Sequence, residues 1–173
     1  MPLQAKKLSS KLEKRILVTI RAVVKKGLLH FFHQSHRYNV AFSLPIQIVP
    51  KKQVRSFVFG KPEGIRVILT EADRVASAMD LMYTKKRLKF SHAYEGKSLP
   101  PLLNALNTLE RKYRNVKEAV EPVLIYFLLA PHPYLLVKGK TKMDFFQVHE
   151  GKPRKISKER LQKQIYRVLE NRP

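Results

Sequence analysis

An excess of positive charge constrains this chain more strongly than any other feature of its sequence. The 173 residues include 35 Lys and Arg but 13 Asp and Glu, which gives a formal net charge of +22 at pH 7. A folded protein with this charge repels itself within the Debye length unless an anionic partner neutralises its surface. The sequence therefore predicts a polyanionic partner, and the fold must leave most of its cations at the surface.

The composition nevertheless predicts a folded core. Hydrophobic residues make up 44% of the chain, which includes 7 Tyr and 9 Phe, whereas disordered basic tails are poor in aromatic residues. The length fits one domain. Cysteine is absent, which excludes disulfides and thiolate metal sites. The longest apolar run, residues 123–130, is far shorter than the roughly 20 residues of a membrane-spanning helix, so we expect no transmembrane segment.

Residues 1–36 have an unusual charge balance. They contain eight Lys and Arg residues, but Glu13 is the one acidic residue among them. A basic, acid-poor and amphipathic segment is typical of mitochondrial targeting sequences. We favour a basic helix of the mature protein as its structure, and the same composition favours the mitochondrion over the cytoplasm as its compartment.

The first helix is predicted over residues 11–32, with two faces of different chemistry. Ser10 and Glu13 have the spacing of a capping box at its start. At 100° per residue, one arc is apolar: Leu12, Ile16, Leu17, Ile20, Val23, Val24 and Leu28. The opposite arc is interrupted by Val18 and is otherwise basic: Lys11, Lys14, Arg15, Arg21, Lys25 and Lys26. We expect the apolar face to pack on a core and the basic face to contact an anion.

A second group of elements is predicted over residues 38–83. Short β-rich runs occupy residues 38–44, 46–49, 54–59 and 65–69. Pro45 and Pro50 interrupt them, which favours edge strands or bends. Residues 61–64 have the composition of a turn. Thr70 is a candidate cap for a helix over residues 71–83, with Lys85, Lys86 and Arg87 just beyond its end.

The remaining chain alternates helical and strand patterns. After Pro100, the apolar residues from Leu102 to Val120 recur with heptad spacing, which we interpret as a core stripe, with a partner helix as the alternative. Strands are predicted over residues 123–130, 134–138 and 144–149. A closing helix is predicted over residues 158–171, with Ser157 as its cap.

These patterns predict an α+β fold. We expect a single compact domain with a mostly antiparallel sheet, a long basic amphipathic N-terminal helix, two internal helices and a C-terminal helix. Residues 1–36 would form the basic helix or arm, residues 37–156 the core, and residues 157–173 a basic helix packed on that core.

The sequence contains no recognisable catalytic arrangement. The segment 139–141 resembles the end of a phosphate-binding P-loop, but the first glycine and the following helix of that motif are missing. His30, His33 and His36 have helical spacing but lack convincing further metal ligands. The carboxylates do not cluster as a two-metal site requires. We therefore predict a protein that is not an enzyme and that needs no cofactor or metal.

Basic clusters interleaved with aromatic residues form the candidate binding site. Cations neutralise phosphates, and aromatic rings such as those of Tyr83 and Phe90 stack on unpaired bases. The candidates in and before the first helix are Lys6, Lys7, Lys11, Lys14, Arg15, Arg21, Lys25 and Lys26. The later candidates are His33, His36, Arg37, Lys51, Lys52, Arg55, Lys85, Lys86, Arg87, Lys89, Lys138, Lys140, Lys142, Lys152, Arg154 and Lys155.

The distribution of these clusters favours binding to the backbone and shape of a large folded RNA. No motif that reads base sequence is present. We predict a structural ribosomal protein that binds rRNA by phosphate neutralisation, in the mitochondrial ribosome rather than the cytoplasmic one. Neighbouring ribosomal proteins could contact the heptad face at residues 102–120. The alternatives are a basic accessory subunit of a membrane-associated complex, and an RNA-processing or RNA-modifying enzyme.

Overall fold

The computed structural model describes residues 8–26, 38–50, 53, 54, 56, 59–71, 74–85, 87–127 and 134–170. Within these residues the chain forms three α-helices and eight β-strands. In chain order they are α1 (Ser10–Lys25), β1 (Asn39–Val49), β2 (Gly64–Glu71), β3 (Arg74–Tyr83), β4 (Leu88–Glu95), α2 (Pro100–Tyr113), β5 (Glu121–Phe127), β6 (Tyr134–Lys138), β7 (Met143–His149), β8 (Lys152–Ile156) and α3 (Lys158–Glu170).

Residue contacts divide the chain into two compact units. The N-terminal unit contains Ala5–Leu44 and Gly64–Pro100, and the C-terminal unit contains Pro45–Glu63 and Pro101–Pro173, so that β1 contributes residues to both. Strand order is β4-β3-β2-β1 in the first and β1-β5-β6-β7-β8 in the second. The β1–β5 pair is parallel, and the pairs β2–β3, β3–β4, β5–β6, β6–β7 and β7–β8 are antiparallel. The predicted α+β class with a mostly antiparallel sheet is confirmed.

Helix α1 begins slightly earlier than predicted. Ser9, and not Ser10, is its N-cap, because the Ser9 side-chain oxygen accepts a hydrogen bond of 3.3 Å from the backbone N–H of Leu12. The capping role predicted for Ser10 is therefore wrong. The helix ends at Lys25, and the Lys26 N–H donates to the Ala22 carbonyl oxygen at 3.2 Å. The predicted extension to residue 32 lies outside the described residues.

The apolar face of α1 forms the core of the N-terminal unit with three strands. Ile16, Ile20, Val23 and Val24 are buried. They belong to one cluster with residues of β2, β3 and β4: Ile65, Val67, Leu69, Met79, Leu81 and Leu88. Because every second residue of a strand faces the same side, this packing fixes which strand residues lie on the α1 side of the sheet.

The opposite face of this sheet contains a buried ion pair. Arg66 on β2 donates two hydrogen bonds, of 2.7 and 2.8 Å, to the carboxylate of Asp80 on β3. The Tyr94 hydroxyl donates to the same carboxylate at 3.0 Å, and the Arg66 guanidinium lies 4.1 Å from the centre of the Tyr94 ring. Both charged residues are 5% exposed. Charge, hydrogen bonds and ring contact together compensate the cost of burying these groups.

The helix predicted over residues 71–83 is wrong, because Glu71 ends β2 and residues 74–83 form β3. Its Ala, Met and Leu residues favour a helix locally, but side-chain packing in a sheet overrides such preferences. Thr70 pairs with Val75, and Glu71 pairs with Arg74, so the two strands form a hairpin at the point where a helix cap was predicted. One internal helix, α2, is therefore described instead of two.

Other predictions for the first half of the chain also differ from the structure. The break predicted at Pro45 is absent, since β1 is continuous. Pro45 lies one residue before the pairing of β1 with β5 begins. Its missing N–H therefore removes no hydrogen bond from that pairing. Val54 lies in a turn instead of a strand, as does Ser56. Strand β4 was not predicted.

The C-terminal unit places α3 on one face of its sheet. Leu161 and Ile165 pack in one cluster with Val54 and with residues from five strands: Val49, Val123, Ile125, Phe127, Tyr134, Leu136, Phe145 and Ile156. Strands β5, β6 and β7 and helix α3 confirm the predicted elements, and Ser157 accepts a hydrogen bond of 3.2 Å from the Arg160 N–H. The helix is described to Glu170, and its predicted end at residue 171 lies outside the described residues.

Two differences concern the termini of elements in this unit. Helix α2 ends at Tyr113, so the heptad pattern predicted up to Val120 does not continue, and Val116 is 38% exposed. Leu106, Leu109 and Tyr113 are buried, so this face is occupied by the core rather than open to a partner protein. Strand β8 was not predicted. It follows a tight turn in which Gly151 adopts a φ of 78°, a conformation that glycine tolerates.

The buried Arg66–Asp80 pair gives a test of the N-terminal core. We expect Asp80→Asn to reduce the free energy of unfolding by about 3–5 kcal/mol, because the variant leaves the Arg66 charge buried without its counter-ion. Urea unfolding of the full chain measures this loss. The double variant Arg66→Met/Asp80→Leu, which removes both charges, should recover most of it. A loss below about 1 kcal/mol for Asp80→Asn would contradict the structural role of the pair.

Candidate nucleic-acid interface

The structure describes fifteen of the predicted contact residues, and all fifteen are exposed. In the N-terminal unit they are Lys11, Lys14, Arg15, Arg21, Lys25, Lys26, Lys85, Arg87 and Lys89. In the C-terminal unit they are Lys138, Lys140, Lys142, Lys152, Arg154 and Lys155. The other predicted contact residues lie outside the described residues: Lys6, Lys7, His33, His36, Arg37, Lys51, Lys52, Arg55 and Lys86.

The turn between β3 and β4 lies beside helix α1. Leu88, at the start of β4, packs in the same core cluster as Ile16 and Ile20 of α1. Tyr83 pairs with Leu88 across the hairpin and therefore lies on the α1 side of the sheet. We call the four residues Arg15, Tyr83, Lys85 and Arg87 the hairpin patch. The patch combines three cations with one aromatic ring.

Electrostatics supports the closeness of the helix and the turn. Partial burial raises the pKa of the Tyr83 hydroxyl above the ordinary tyrosine value, and the positive charge of Arg15 offsets part of this rise. Because the pKa is raised, the phenol stays neutral at physiological pH. Tyr83 therefore adds no negative charge to the patch.

Thr84 connects the two ends of the β3–β4 turn by hydrogen bonds. Its backbone N–H and its hydroxyl both donate to the carbonyl oxygen of Arg87, at 2.8 Å each. The hydroxyl oxygen also accepts a hydrogen bond of 3.1 Å from the Arg87 N–H. These three bonds connect the two ends of the turn that displays Lys85. Lys85 therefore lies next to a residue pair, Thr84 and Arg87, whose backbones are joined by hydrogen bonds.

The exposed face of α1 extends the positive surface along the helix. Its cations project away from the buried apolar residues, and Val18 is 64% exposed among them. Within the described part of the chain, none of the following side chains pairs with a carboxylate: Lys11, Lys14, Arg21, Lys25, Lys26, Lys85, Arg87 and Lys89. We call the α1 cations, Arg15 included, the α1 basic face. The charges of Lys11, Lys14, Arg21, Lys25 and Lys26 are thus not compensated by a carboxylate among the described residues.

Lys89 does not join the hairpin patch. It pairs with Met82 in the β3–β4 register, whereas Leu88 and Phe90 pack towards α1. Strand alternation therefore places Lys89 on the opposite side of the sheet, the side that also contains His92 and Tyr94. The grouping of Lys89 with Lys85 and Arg87 in one contact surface is thus not supported by their placement.

The predicted cations of the C-terminal unit lie on two hairpins and have acidic neighbours. Lys138 pairs with Glu121 across β5 and β6, and the Lys140 backbone N–H donates to the Glu118 carboxylate at 3.1 Å. Lys155 lies 2.7 Å from an oxygen of Asp144. Lys142 approaches the other oxygen at 3.8 Å. The side-chain charges of Lys142 and Lys155 are therefore compensated within the unit by Asp144.

Asp144 is the centre of this compensation. Its carboxylate is 6% exposed and accepts a hydrogen bond of 2.5 Å from the buried Tyr113 hydroxyl. Burial raises the pKa of Asp144. The hydrogen bonds from Lys155 and Tyr113 and the positive charges of Lys155 and Lys142 lower it by more, so the pKa lies below the ordinary aspartate value. In turn, burial and the Asp144 hydrogen bond raise the pKa of Tyr113. Asp144 is therefore ionised at neutral pH.

A cavity of about 260 Å³ lies at the start of α3 in the same unit. Its lining includes Met143, Phe145 and Ile156 together with the paired groups of Asp144 and Lys155. The Nζ of Lys158, also in the lining, lies 3.4 Å from the Ser56 carbonyl oxygen. A polar ligand would have to displace these existing contacts. The polar groups of Asp144, Lys155 and Lys158 in this lining are therefore already engaged.

The described residues also bear on metal binding and on membrane insertion. No three His, Asp or Glu residues among them are close enough to hold a metal ion, and His30, His33 and His36 lie outside them. No helix in the described ranges is long and apolar enough to cross a membrane.

Two parts of this surface were not found from the sequence. Thr84 was not recognised as the residue that closes the hairpin, because residues 71–83 were predicted to be helical; a threonine before a run of basic residues is the available signal. Asp144 was not recognised as the counter-ion of Lys155, since β8 was not predicted and the two residues meet across the β7–β8 hairpin. Comparison with protein-family models, curated proteins and solved structures finds no match.

The Asp144 network predicts a defined pH dependence of stability. A carboxyl whose folded-state pKa is depressed stabilises the fold above its unfolded pKa of about 3.9, and this contribution is lost as the pH falls through the folded-state pKa. We therefore expect Asp144→Asn to lower the free energy of unfolding by about 1.5–3 kcal/mol at pH 7. The difference in the free energy of unfolding between Asp144→Asn and the wild type should be smaller at pH 3 than at pH 7. Urea unfolding at the two pH values measures it.

Glu150→Gln is the matched control, because Glu150 lies on the same hairpin with 82% of its side chain exposed. It should change the unfolding free energy little at either pH. An Asp144→Asn deficit that is equal at pH 7 and pH 3 would show that the carboxylate charge is not the source of the stabilisation.

Proposed function

We propose that this protein is a structural RNA-binding protein of a ribosome, which binds rRNA by neutralising its phosphates. The observation that carries the proposal is the combination of the hairpin patch with the α1 basic face in one unit. Among these cations Lys11, Lys14, Arg21, Lys25, Lys26, Lys85 and Arg87 have no carboxylate partner in the described part of the chain, and Tyr83 adds an aromatic ring beside the hydrogen-bonded pair of Thr84 and Arg87. A polyanion is the partner that relieves such a surface.

The packing of α1 favours RNA over an anionic membrane as the partner. An interfacial helix binds lipid by inserting its apolar face into the headgroup region. In α1 the residues that would insert, such as Ile16, Ile20 and Val23, are already buried against β2, β3 and β4. The exposed side is basic and can contact phosphates without unfolding the unit. Phosphate contacts of this kind position a protein on RNA without reading its sequence.

The cations of the C-terminal unit have a secondary part in this proposal. Lys142 and Lys155 share the Asp144 carboxylate, so an RNA phosphate would compete with an existing partner. Lys152 and Arg154 are exposed on β8 and remain candidates for peripheral contacts. We therefore assign the main contact surface to the N-terminal unit.

The salt dependence of RNA binding tests whether phosphates are neutralised, and its change in a charge-removing variant tests where the contact surface lies. If about 6–10 phosphates are contacted, binding to an rRNA fragment weakens by roughly 10³–10⁵-fold between 50 and 200 mM salt. The double variant Lys85→Gln/Arg87→Gln removes two contacts, so it should weaken binding and reduce the slope of log K against log salt by about 2. Filter binding or fluorescence anisotropy at several salt concentrations gives both quantities.

Arg111→Gln/Lys117→Gln is the matched control, because it removes the same charge from exposed positions of the C-terminal unit. It should leave the slope close to the wild-type value. A slope near zero for the wild type would refute phosphate neutralisation. Equal losses for the two double variants would refute the assignment to the hairpin patch.

The ribosomal assignment is tested by sedimentation of the native protein. The basic, acid-poor first 36 residues support the mitochondrial ribosome as the assembly. We expect the protein to sediment with a mitochondrial ribosomal subunit at low salt and to be released at high salt, because phosphate contacts are screened. Sedimentation with cytoplasmic subunits would overturn the compartment, and migration as a free protein at low salt would overturn the ribosomal assignment.

A further inference from the structure

We infer that Tyr83 is a base-stacking residue, and that the RNA bound by the hairpin patch presents an unpaired nucleotide to it. This inference rests on the proposed function and adds the class of RNA structure that the site recognises. Helix α1, Lys85 and Arg87 would contact the phosphates, and the ring of Tyr83 would receive one unstacked base.

The position of Tyr83 makes its ring available. It is the last residue of β3, and 44% of its surface is exposed, whereas Ser77, Met79 and Leu81, which precede it on the same side of the strand, are buried. Five large hydrophobic residues are exposed within the described ranges, and Tyr83 is the one aromatic residue among them. An exposed ring costs free energy in water, and stacking on a base would remove its apolar surface from solvent.

The surroundings of Tyr83 match a nucleotide rather than an apolar ligand. Arg15 is close enough to influence the ring hydroxyl, and Lys85 and Arg87 follow within four residues. Each nucleotide places a phosphate close to its base, so a stacked base brings phosphates near these cations. Base, ring and cations thus have complementary chemistry over a short distance.

The backbone around Tyr83 is held from two sides, which favours a preorganised platform. On one side the hairpin pairs Tyr83 with Leu88, and Thr84 closes the turn. On the other side β3 runs close to β2 at Gly64. A Cβ at that position would lie 2.6 Å from the Leu81 carbonyl oxygen and 2.7 Å from the Met82 sulfur. A side chain at residue 64 would therefore push away the strand end that holds Tyr83.

The inference is tested with two RNAs that share one stem sequence. One is fully paired, and the other has a single bulged 2-aminopurine, whose fluorescence falls when it stacks. Wild-type protein should bind the bulged RNA more tightly and quench its fluorescence. Tyr83→Phe should retain both effects because the ring remains. Tyr83→Leu, which fills similar space without a π face, should weaken binding of the bulged RNA by about 5- to 150-fold and leave the paired RNA almost unaffected.

Val75→Ala is the matched control, since Val75 is 36% exposed at the opposite end of β3. It should not change the preference for the bulged RNA. Urea unfolding of each variant excludes a loss of fold as the cause. If the wild type binds both RNAs equally, or if Tyr83→Leu weakens both equally, the stacking role is overturned while RNA binding by the hairpin patch survives. If the wild type binds neither RNA, the proposed function fails as well.

Discussion

The packing of helix α1 on strands β2, β3 and β4 determines how the N-terminal unit displays its charge. Four buried aliphatic residues of the helix each contribute about 1.5–3 kcal/mol through the removal of apolar surface from water. This burial fixes the rotation of the helix about its axis. Because the sequence separates apolar and basic residues by face, the same rotation directs Lys14, Arg21 and Lys25 to solvent. The core and the basic face are therefore two consequences of one contact.

The two units manage their positive charge differently. In the C-terminal unit Asp144 is buried between Tyr113, Lys142 and Lys155, and its hydrogen bonds and ion pairs stabilise the fold of that unit. In the N-terminal unit the described ion pair with a buried carboxylate, Arg66–Asp80, is internal, and surface cations such as Lys14, Arg21 and Lys85 pair with no carboxylate among the described residues. Repulsion among these surface cations opposes folding. A bound polyanion would make the electrostatic contribution of this surface to the free energy of folding favourable. Stability in the absence of RNA is thus expected to depend on ionic strength mainly through the N-terminal unit.

The sequence predicted those elements whose local pattern and tertiary role agree. Helix α3 has a cap at Ser157 and an apolar stripe that the sheet buries, and both were evident from spacing alone. The helix prediction for residues 74–83 was wrong because this segment pairs with β2 and β4 and becomes a strand, although its residue types favour a helix. These long-range pairings cannot be recognised in a local sequence pattern. The candidate cations were identified by residue type. Which of them have a partner depends on contacts such as Lys155–Asp144 across a hairpin, and the sequence did not indicate these.

The hydrogen bonds that join the ends of the β3–β4 turn bear on which kind of polyanion the proposed surface would prefer. Lysine side chains on a helix attract any polyanion, and such attraction falls with salt without regard to structure. Hydrogen bonds between Thr84 and Arg87, next to a helix whose rotation is fixed by burial, would limit how far the two groups of cations can move apart. Only a partner whose phosphates have a matching spacing would satisfy both groups without distortion. Folded RNA has such fixed phosphate positions, whereas a flexible strand would have to be ordered first and would lose conformational entropy. The ordered turn therefore favours a structured RNA over a disordered polyanion of equal charge.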